Sequence, residues 1–568
     1  MRRISFTIHL LCILFTIVAC SSSDDSTTPE LIVTETNLDF ANQGGELTFN
    51  MKSTVDWTIE SSADWCHVSE ASGKAVIQKV TVSADENTDV ASRTCTLVVQ
   101  AGDLSKTIQI KQQAAYSLTV ATASYDGAAL GEWLSVQVNS ATEYTVSSDV
   151  DWIEVDSSVA HTGNTFAAEI ARNPFLESRE GHIEIKAGPL TQTVTVVQDG
   201  NTGSDAVQQN MRIGTEIAAQ MKLGWNIGNT LEAYNNDTPS ETAWGNPKVT
   251  QQLISAVKSA GFNSVRIPCA WNGYIVDQNT YRISESWLAR VKEVVDYCIS
   301  EDMYVMINIH WDGGWLENHV AYDTQEEILK KEAAIWNQIA IYFRDYNDHL
   351  LFAGNNEVHD GYGTPTDENM AVQASYNQTF VDAVRATKGN NLERCLIVQS
   401  YNTNVDLAVQ HLTMPNDIAA NRLMAEVHYY DPWDFCGDSP TIKYWGTKYA
   451  SYGTLSSYGQ EDYLAQKMSS LKTKFVDNGI PVILGEFNAF LQTNLTGEEK
   501  TKHETCRNYY LQTVVSEANK NGVIPFYWDA GGKGSALFNR NTGAIYDEAG
   551  QAAIDAMITG LSENMQQD

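Results

Sequence analysis

Residues 209–568 carry eight short apolar runs of strand character: Leu223–Trp225, Ser264–Ile267, Tyr304–Ile309, Leu350–Ala353, Cys395–Gln399, Leu423–His428, Val482–Gly485 and Val523–Tyr527. Between them lie segments such as VTQQLISAVKSAG, ISESWLARVKEVVDYCISED, EEILKKEAAIWNQIAIYFRDY, ENMAVQASYNQTFVDAVRAT and EEKTKHETCRNYYLQTVVSEANKNG. Their apolar residues recur every three to four positions, the spacing of one helix face. A run that is apolar without alternation suits a strand buried on both faces, and parallel strands need crossovers that cover them. Eight strand–helix units in succession predict a (β/α)8 TIM barrel. An open doubly wound sheet uses the same units but calls for a glycine-rich nucleotide turn after its first strand. Gly224-Trp225-Asn226-Ile227-Gly228 lacks that spacing.

Upstream the pattern changes. Residues 31–200 hold short alternating strands such as LTFNM, WTIES, KVTVSA, CTLVVQ and TIQIKQ, separated by turn residues. This is the pattern of all-β immunoglobulin-like sandwiches. The region is duplicated. Asp64-Trp65 matches Asp151-Trp152 at a distance of 87, and Asn87, Arg93, Ala101-Gly102 and Gln112 match Asn173, Arg179, Ala187-Gly188 and Gln198 at 86. We expect a multidomain chain: one sandwich over 31–114, a second over 115–200, a linker at 201–208 and the barrel over 209–568. The strand alternation, the D-W pair and the closing hydrophobic-Q strand resemble BACON-type modules that precede polysaccharide-degrading enzymes. Trp65 and Trp152 share one repeat position, which suits core packing better than a sugar platform. The modules therefore read as spacers, with carbohydrate binding through exposed aromatics as the other possibility.

At the N-terminus, basic Met1-Arg2-Arg3 precedes apolar Ile4–Ala19, which ends IVAC before SSSDD. The apolar run is short for a membrane span of roughly 20 residues. Residues 1–20 resemble a bacterial lipoprotein signal with Cys20 as the lipidated first residue of the mature chain, followed by a tether at 21–30. An ordinary secretory signal or an uncleaved anchor would share the same apolar run. Asp24-Asp25 resembles the surface-export tags of some Gram-negative lipoproteins, which implies a cell-surface, outer-membrane location. Beyond Cys12 and Cys20, seven of the nine cysteines are scattered without metal-ligand spacing, and no zinc site or disulfide framework is expected, although Cys66 and Cys95 fall in one module and could pair. A net charge of −34 excludes a nucleic-acid partner and disfavours a polyanionic substrate. A neutral polymer, held on aromatic faces and by hydroxyl hydrogen bonds, fits a chain with 14 Trp.

Polar and aromatic groups gather where the barrel strands stop. They are Arg266 on the second, His310-Trp311 after the third, Asn356-Glu357 after the fourth (LLFAGNNEVH), His428-Tyr429-Tyr430 on the sixth, Glu486 at the seventh (PVILGEFNAF) and Trp528-Asp529 at the eighth. In a barrel these strand ends share one rim. Two acids on one rim are the minimum equipment for cleaving a glycosidic bond. His310 with Asp312, or His428 with Asp431, lacks the i, i+4 spacing of helical metal ligands, and no metal or cofactor is expected.

The stretches GWNIGNT, ETAWGNP, VRIP, INIHW, NNEV, EVHYYDP, ILGEF and PFYWD resemble glycoside hydrolase family 5 along the whole C-terminal domain. GWNIGNT and ETAWGNP are similar to its subfamily 4, which holds endo-β-1,4-glucanases, xyloglucanases and mixed-linkage glucanases. INIHWDGGWL with LLFAGNNEV resembles surface xyloglucanases of gut Bacteroidetes, which also carry BACON modules. The resemblance implies that Glu357 is the general acid/base and Glu486 the nucleophile of a retaining double displacement, with carboxyl groups about 5–5.5 Å apart rather than the roughly 6.5–9.5 Å of an inverting pair. Glu357 then needs a raised pKa, which burial and the charge of Glu486 would supply. By the same resemblance Arg266 keeps Glu486 ionised and Tyr430 orients it. Asn356 meets the sugar 2-hydroxyl, His310 and His428 meet hydroxyls near the cleavage point, and Trp528 floors the subsite before the scissile bond. Trp311, Trp315, Trp433, Trp244 and Asn229 are further subsite candidates. The family's N-E-P reads Asn356-Glu357-Val358 here, which keeps the acid and changes its loop.

The implied activity is endo-hydrolysis of a neutral β-1,4-glucan by a monomer anchored through Cys20. Xyloglucan leads as substrate; mixed-linkage glucan, carboxymethylcellulose and β-mannan are the others. A non-catalytic surface glycan-binding lipoprotein on the same barrel would be expected to have lost an acid, and both are present.

Overall fold

The computed structural model describes residues 28–236, 238–361, 363–532 and 534–563. Cys20, the signal segment and most of the tether lie outside the described residues. In the first module a sheet ordered Leu31–Val33, Gly45–Ser53, Val76–Ala84, Cys66–Val68 shares one core with a sheet ordered Asn37–Phe40, Leu104–Gln112, Arg93–Ala101, Trp57–Ser61, Ser72–Gly73. The second module repeats the plan around its own core. The repeated polar residues are its internal ties. Arg93 Nε donates to Gln112 Oε1 at 2.8 Å, and Arg179 Nε to Gln198 Oε1 at 2.7 Å. Asn87 and Asn173 each donate from Nδ2 to two loop carbonyls. Trp152 is buried in its core, and Trp65 is half-buried beneath the Arg93 guanidinium at 4.4 Å. Both therefore serve packing. The seven described cysteines, Cys66 and Cys95 among them, are free and buried.

The barrel strands are β1 (Gly224–Ile227), β2 (Ser264–Ile267), β3 (Tyr304–Asn308), β4 (Leu350–Ala353), β5 (Leu396–Gln399), β6 (Leu423–Tyr429), β7 (Val482–Phe487) and β8 (Val523–Asp529). They pair in chain order, all parallel, and β1 closes the ring on β8 with Gly224 opposite Phe526 and Ile227 opposite Asp529. The helices α1 (Gln251–Ser259), α2 (Glu285–Ser300), α3 (Tyr322–Tyr342), α4 (Asp367–Ala386), α5 (Val405–His411), α6 (Glu461–Lys474), α7 (Gly497–Lys520) and α8 (Glu548–Ser562) follow the strands in turn. The expected fold class, two sandwiches and then a (β/α)8 barrel, is the one observed. Strands six, seven and eight run further than the sequence reading, so Glu486 lies within its strand rather than after it.

The strand alternation sorts side chains into two cores. Residues such as Val305, Ile307, Phe352, Val398, Val427 and Leu484 face outward and meet the helices. Met306, Leu351, Ile397, Met424, Ile483 and Ile524 face inward and fill the lower barrel with Ile217 and Met221.

Candidate active site

One step of two residues above that inner apolar layer, the same alternation points Asn226, Arg266, Asn308, Gln399 and Glu426 into the barrel, and all five are fully buried. His428 and Trp528 come one step higher on β6 and β8, at the rim. β7 breaks its own rhythm to join them. Ile483 faces in, so strict alternation would turn Glu486 outward into the helix layer. Instead the register slips: Val427 pairs with Leu484, but His428 pairs with Glu486. This bulge at Gly485 re-aims the carboxylate into the barrel beside His428, the use to which bulges next to active sites are put. A Cβ on Gly485 would lie 2.0 Å from Glu426 Oε1, so the bulge position has no room for a side chain.

Glu357 is aimed by a different device. Its backbone is left-handed, φ +46°, an uncommon conformation for a residue with a side chain. Hydrogen bonds hold it there. Its N–H donates to Gln399 Oε1 at 2.9 Å, the buried Val358 carbonyl accepts from Asn402 N–H at 2.9 Å, and Asp360 N–H donates to Tyr401 Oη at 2.7 Å. Gln399 is locked in turn, its carbonyl accepting from Gln373 and Asn377 of α4. A proline at 358 would push residue 357 toward extended backbone, so Val358 and this turn go together.

The two acids meet at one point. Glu357, His428 and Glu486 each offer a ligand atom, and these lie within 4.8 Å of one another. Arg266 Nη1 donates to Glu486 Oε1 at 2.8 Å and to Asn226 Oδ1 at 3.0 Å, and its Nη2 donates to Asn356 Oδ1 at 2.7 Å. Tyr430 Oη donates to Glu486 Oε2 at 2.9 Å. His428 Nδ1 sits 2.7 Å from Glu357 Oε1 and 3.8 Å from Glu486 Oε2. His310 stacks on Trp528, centroids 5.6 Å apart and planes 10° from parallel. Burial, then the Arg266 charge, holds His310 well below its ordinary pKa, as a neutral imidazole.

The acids' electrostatics differ from the sequence expectation. Burial pushes Glu357 up, but the His428 hydrogen bond and charge, then Arg266, outweigh it and hold the carboxyl below its usual range. Burial dominates at Glu486 and, with the Glu357 charge, leaves it above its usual range against the pull of His428 and Arg266. Burial opposes a charge on His428, yet Glu486, Glu357 and Glu426 raise it to about 9. The physical reason is that His428 and Glu357 share one proton across a short contact, and such a pair titrates as a unit. The lowered Glu357 pKa and the raised His428 pKa both favour the proton on the His428 side, one hydrogen bond from the acid. A further carboxyl, Glu317, is pushed up to about 8 by burial and then by the Glu357 charge, with the Asn356 amide hydrogen-bonded to it.

Above this cluster opens a cavity of about 750 Å³ lined by Asn229, His310, Asn356, Glu357, His428, Tyr430, Trp433, Glu486 and Trp528. Asn402, Thr403, Asn404, Asp431, Asp438, Phe490 and Ala530 complete its wall. Of these only Asp431 was named from sequence, as a metal ligand that was set aside; Asn402-Thr403-Asn404 follows strand five, a strand end from which no candidate was taken. Trp315 is not a wall residue. It is buried, its Nε1–H donates to Asp312 Oδ2 at 2.8 Å, and Lys331 Nζ lies 4.3 Å over its ring. Trp311 stands outside the cavity lining, packed edge-on against Tyr234 and tilted against the exposed Trp244. Glu426 was also missed. Its signal was present: two residues before His428 on a strand, it must share the interior face.

The sequence profile of the cellulase family, glycosyl hydrolase family 5, matches residues 228–534, and that of the BACON binding domain matches 55–113 and 131–199. The chain belongs to glycosyl hydrolase family 5. A xyloglucan-specific endo-β-1,4-glucanase of Bacteroides ovatus is 35% identical over 565 residues, 97% of this chain and 96% of that protein. The solved structure of a Bacteroides ovatus family 5 xyloglucanase with an XXXG heptasaccharide superposes with a TM-score of 0.61 at 34% identity, covering 94% of this chain and all of that one. A broad-specificity endoglucanase of Bacteroides salanitronis gives 0.57 at 38% identity, over 63% of this chain and 99% of its own. The chemistry of this family 5 member is hydrolysis of β-1,4-glucan backbones.

Proposed function

We propose that the protein is a retaining endo-hydrolase that cuts the β-1,4-glucan backbone of xyloglucan, working outside the cell from a lipid anchor at Cys20. The observation that carries the mechanism is the spacing of the two acids, whose nearest oxygens lie within 4.8 Å. That closeness fits the short separation at which one carboxylate attacks directly, rather than the wider one that seats a water between substrate and base. Glu486, gripped by Arg266 and Tyr430, attacks the anomeric carbon. Glu357 delivers the proton shared with His428 to the departing glycosidic oxygen as the carbon–oxygen bond breaks. Water then attacks the glycosyl–Glu486 ester, Glu357 takes up its proton, and Glu486 is released. Neither step calls for a cofactor.

Xyloglucan as the substrate is supported by the Bacteroides ovatus relative, which matches this chain from end to end, modules included. Unbranched glucans remain the second reading, favoured by the broad-specificity relative from Bacteroides salanitronis. Reducing-end release from xyloglucan, mixed-linkage glucan and glucomannan, measured side by side, separates them. Fast release from xyloglucan alone supports the proposal, and preference for the unbranched polymers replaces the substrate while keeping the chemistry. Proton NMR of the first products tests the mechanism: α-anomers appearing first would overturn it. The anchor is tested by labelled-palmitate incorporation, expected in the full chain and absent in Cys20→Ala, and the monomer by sedimentation.

A further inference from the structure

Glu426 lies beneath the reacting pair, fully buried and outside the cavity wall. Its Oε1 is 3.1 Å from Arg266 Nε and 3.3 Å from His428 Nε2. Arg266 passes the connection to the nucleophile through Nη1, and His428 passes it to the acid/base through Nδ1. The Gln399 side-chain amide faces the same carboxylate, and that amide's oxygen receives the Glu357 N–H. Glu426 thus links His428, on the acid/base, to Arg266, on the nucleophile. The chain makes room for it. Gly485, the bulge residue that turns Glu486 inward, is the position where any side chain would strike Glu426 Oε1.

A buried carboxylate on one nitrogen of a histidine decides what the other nitrogen does. Here it calls for Nε2–H to donate to Glu426, which leaves Nδ1 as the atom that holds a proton toward Glu357. We propose that Glu426 is a positioning residue that fixes the protonation and orientation of His428 and the fork of Arg266, so that His428 and Glu357 work as one proton-holding unit. This rests on Glu357 and Glu486 being the reacting pair. One proton is in play. It lies between His428 Nδ1 and Glu357 Oε1, passes to the glycosidic oxygen in the first step, and is restored by the attacking water in the second. The groups facing His428 are Glu357 and Glu317 from the loops after β4 and β3, Glu486 from β7, His310 just after β3 and Glu426 from its own strand, with Arg266 of β2 against the same Glu426 carboxylate. Glu426 is one of three carboxylates that favour a protonated His428, so loss of its charge lowers the imidazole's hold on the proton.

The test is Glu426→Gln, which keeps shape and removes charge. A fall of 10- to 100-fold in kcat with KM within threefold is expected, together with a basic limb of the kcat/KM profile that moves at least one unit to lower pH. Glu426→Asp, which keeps the charge, should restore most of that limb's position. Activity lost in both variants alike, or lost in Glu426→Gln with the limb unmoved, would mean a merely structural role and overturn the proposal. Nitrogen-15 NMR of the substrate-free wild-type protein gives an answer that needs neither variant nor substrate. The His428 imidazole should stay protonated at neutral pH with its Nε2–H hydrogen-bonded; an ordinary histidine titration would overturn the proposal. If the wild type cleaves no β-1,4-glucan while the NMR result holds, the function fails and the anchoring of His428 stands.

Discussion

Tyr430→Phe removes one hydroxyl and little else. That hydroxyl donates to Glu486 Oε2 at 2.9 Å, while Arg266 serves the other oxygen. A hydrogen bond to a charged group is worth about 1.5–3 kcal/mol. If it is made to the ionised nucleophile, its loss raises the Glu486 pKa by about 1–2 units, at about 1.36 kcal/mol per unit. The acidic limb of kcat/KM reports that ionisation in the free enzyme. The sign is therefore fixed: the nucleophile must be charged, a weaker hold on the charge moves the limb to higher pH, and activity at low pH suffers most. On the plateau the same energy corresponds to a fall of about 10- to 150-fold. The assay is initial-rate kinetics on an aryl cellobioside and on xyloglucan from pH 4 to 9, with thermal unfolding as a control. The reasoning is refuted if the variant stays within threefold of wild type across that range, or if the limb moves to lower pH.

Further outcomes follow from other residues. Glu357→Ala should lose activity on polysaccharide by about a hundredfold or more, and azide should rescue it on an activated aryl glycoside by forming the β-glycosyl azide; an α-azide would contradict double displacement. Glu332, on α3, is fully buried with both carboxylate oxygens lacking a hydrogen-bond partner, and burial raises its pKa well above the usual range. Because the folded chain keeps a proton that the unfolded chain releases above about pH 4.3, wild-type stability falls as pH rises from there. Glu332→Met should remove that slope and stabilise the fold by about 1–3 kcal/mol near pH 7; a lower melting temperature would show that the carboxyl is satisfied after all. Trp433, more than half exposed on the cavity wall, should act in binding: Trp433→Ala is expected to raise KM for xyloglucan several-fold with kcat little changed, and a kcat effect without a KM effect would exclude that role.

The barrel was legible because period and length are local properties. Each buried strand announces itself as an unbroken apolar run and each helix by its three-to-four spacing, and a duplicated module repeats its Asn, Arg and Gln ties at one interval. Arg266, Glu357, His428, Tyr430, Glu486 and Trp528 could be listed from strand ends alone. What brings them together could not. Glu486 faces the cleft only because β7 slips one residue against β6 at Gly485, and register between residues 57 or 58 apart in the chain leaves no mark in either strand. Trp315 and Trp433 have the same local appearance, yet one is buried on Asp312 and the other stands open on the cleft, because loop packing decides exposure. Glu426 looked like one more strand residue; its meaning comes from the cation on β2 and the histidine above it. The raised pKa of His428 and the lowered one of Glu357 likewise arise from Arg266, Glu357, Glu426, His428 and Glu486 being gathered at one point. The amino-acid sequence by itself determined the elements, their order and the two acids. Only the tertiary structure decided which way those acids point and which neighbours share their charge, because bulges, burial and electrostatic coupling exist only between segments that folding brings into contact.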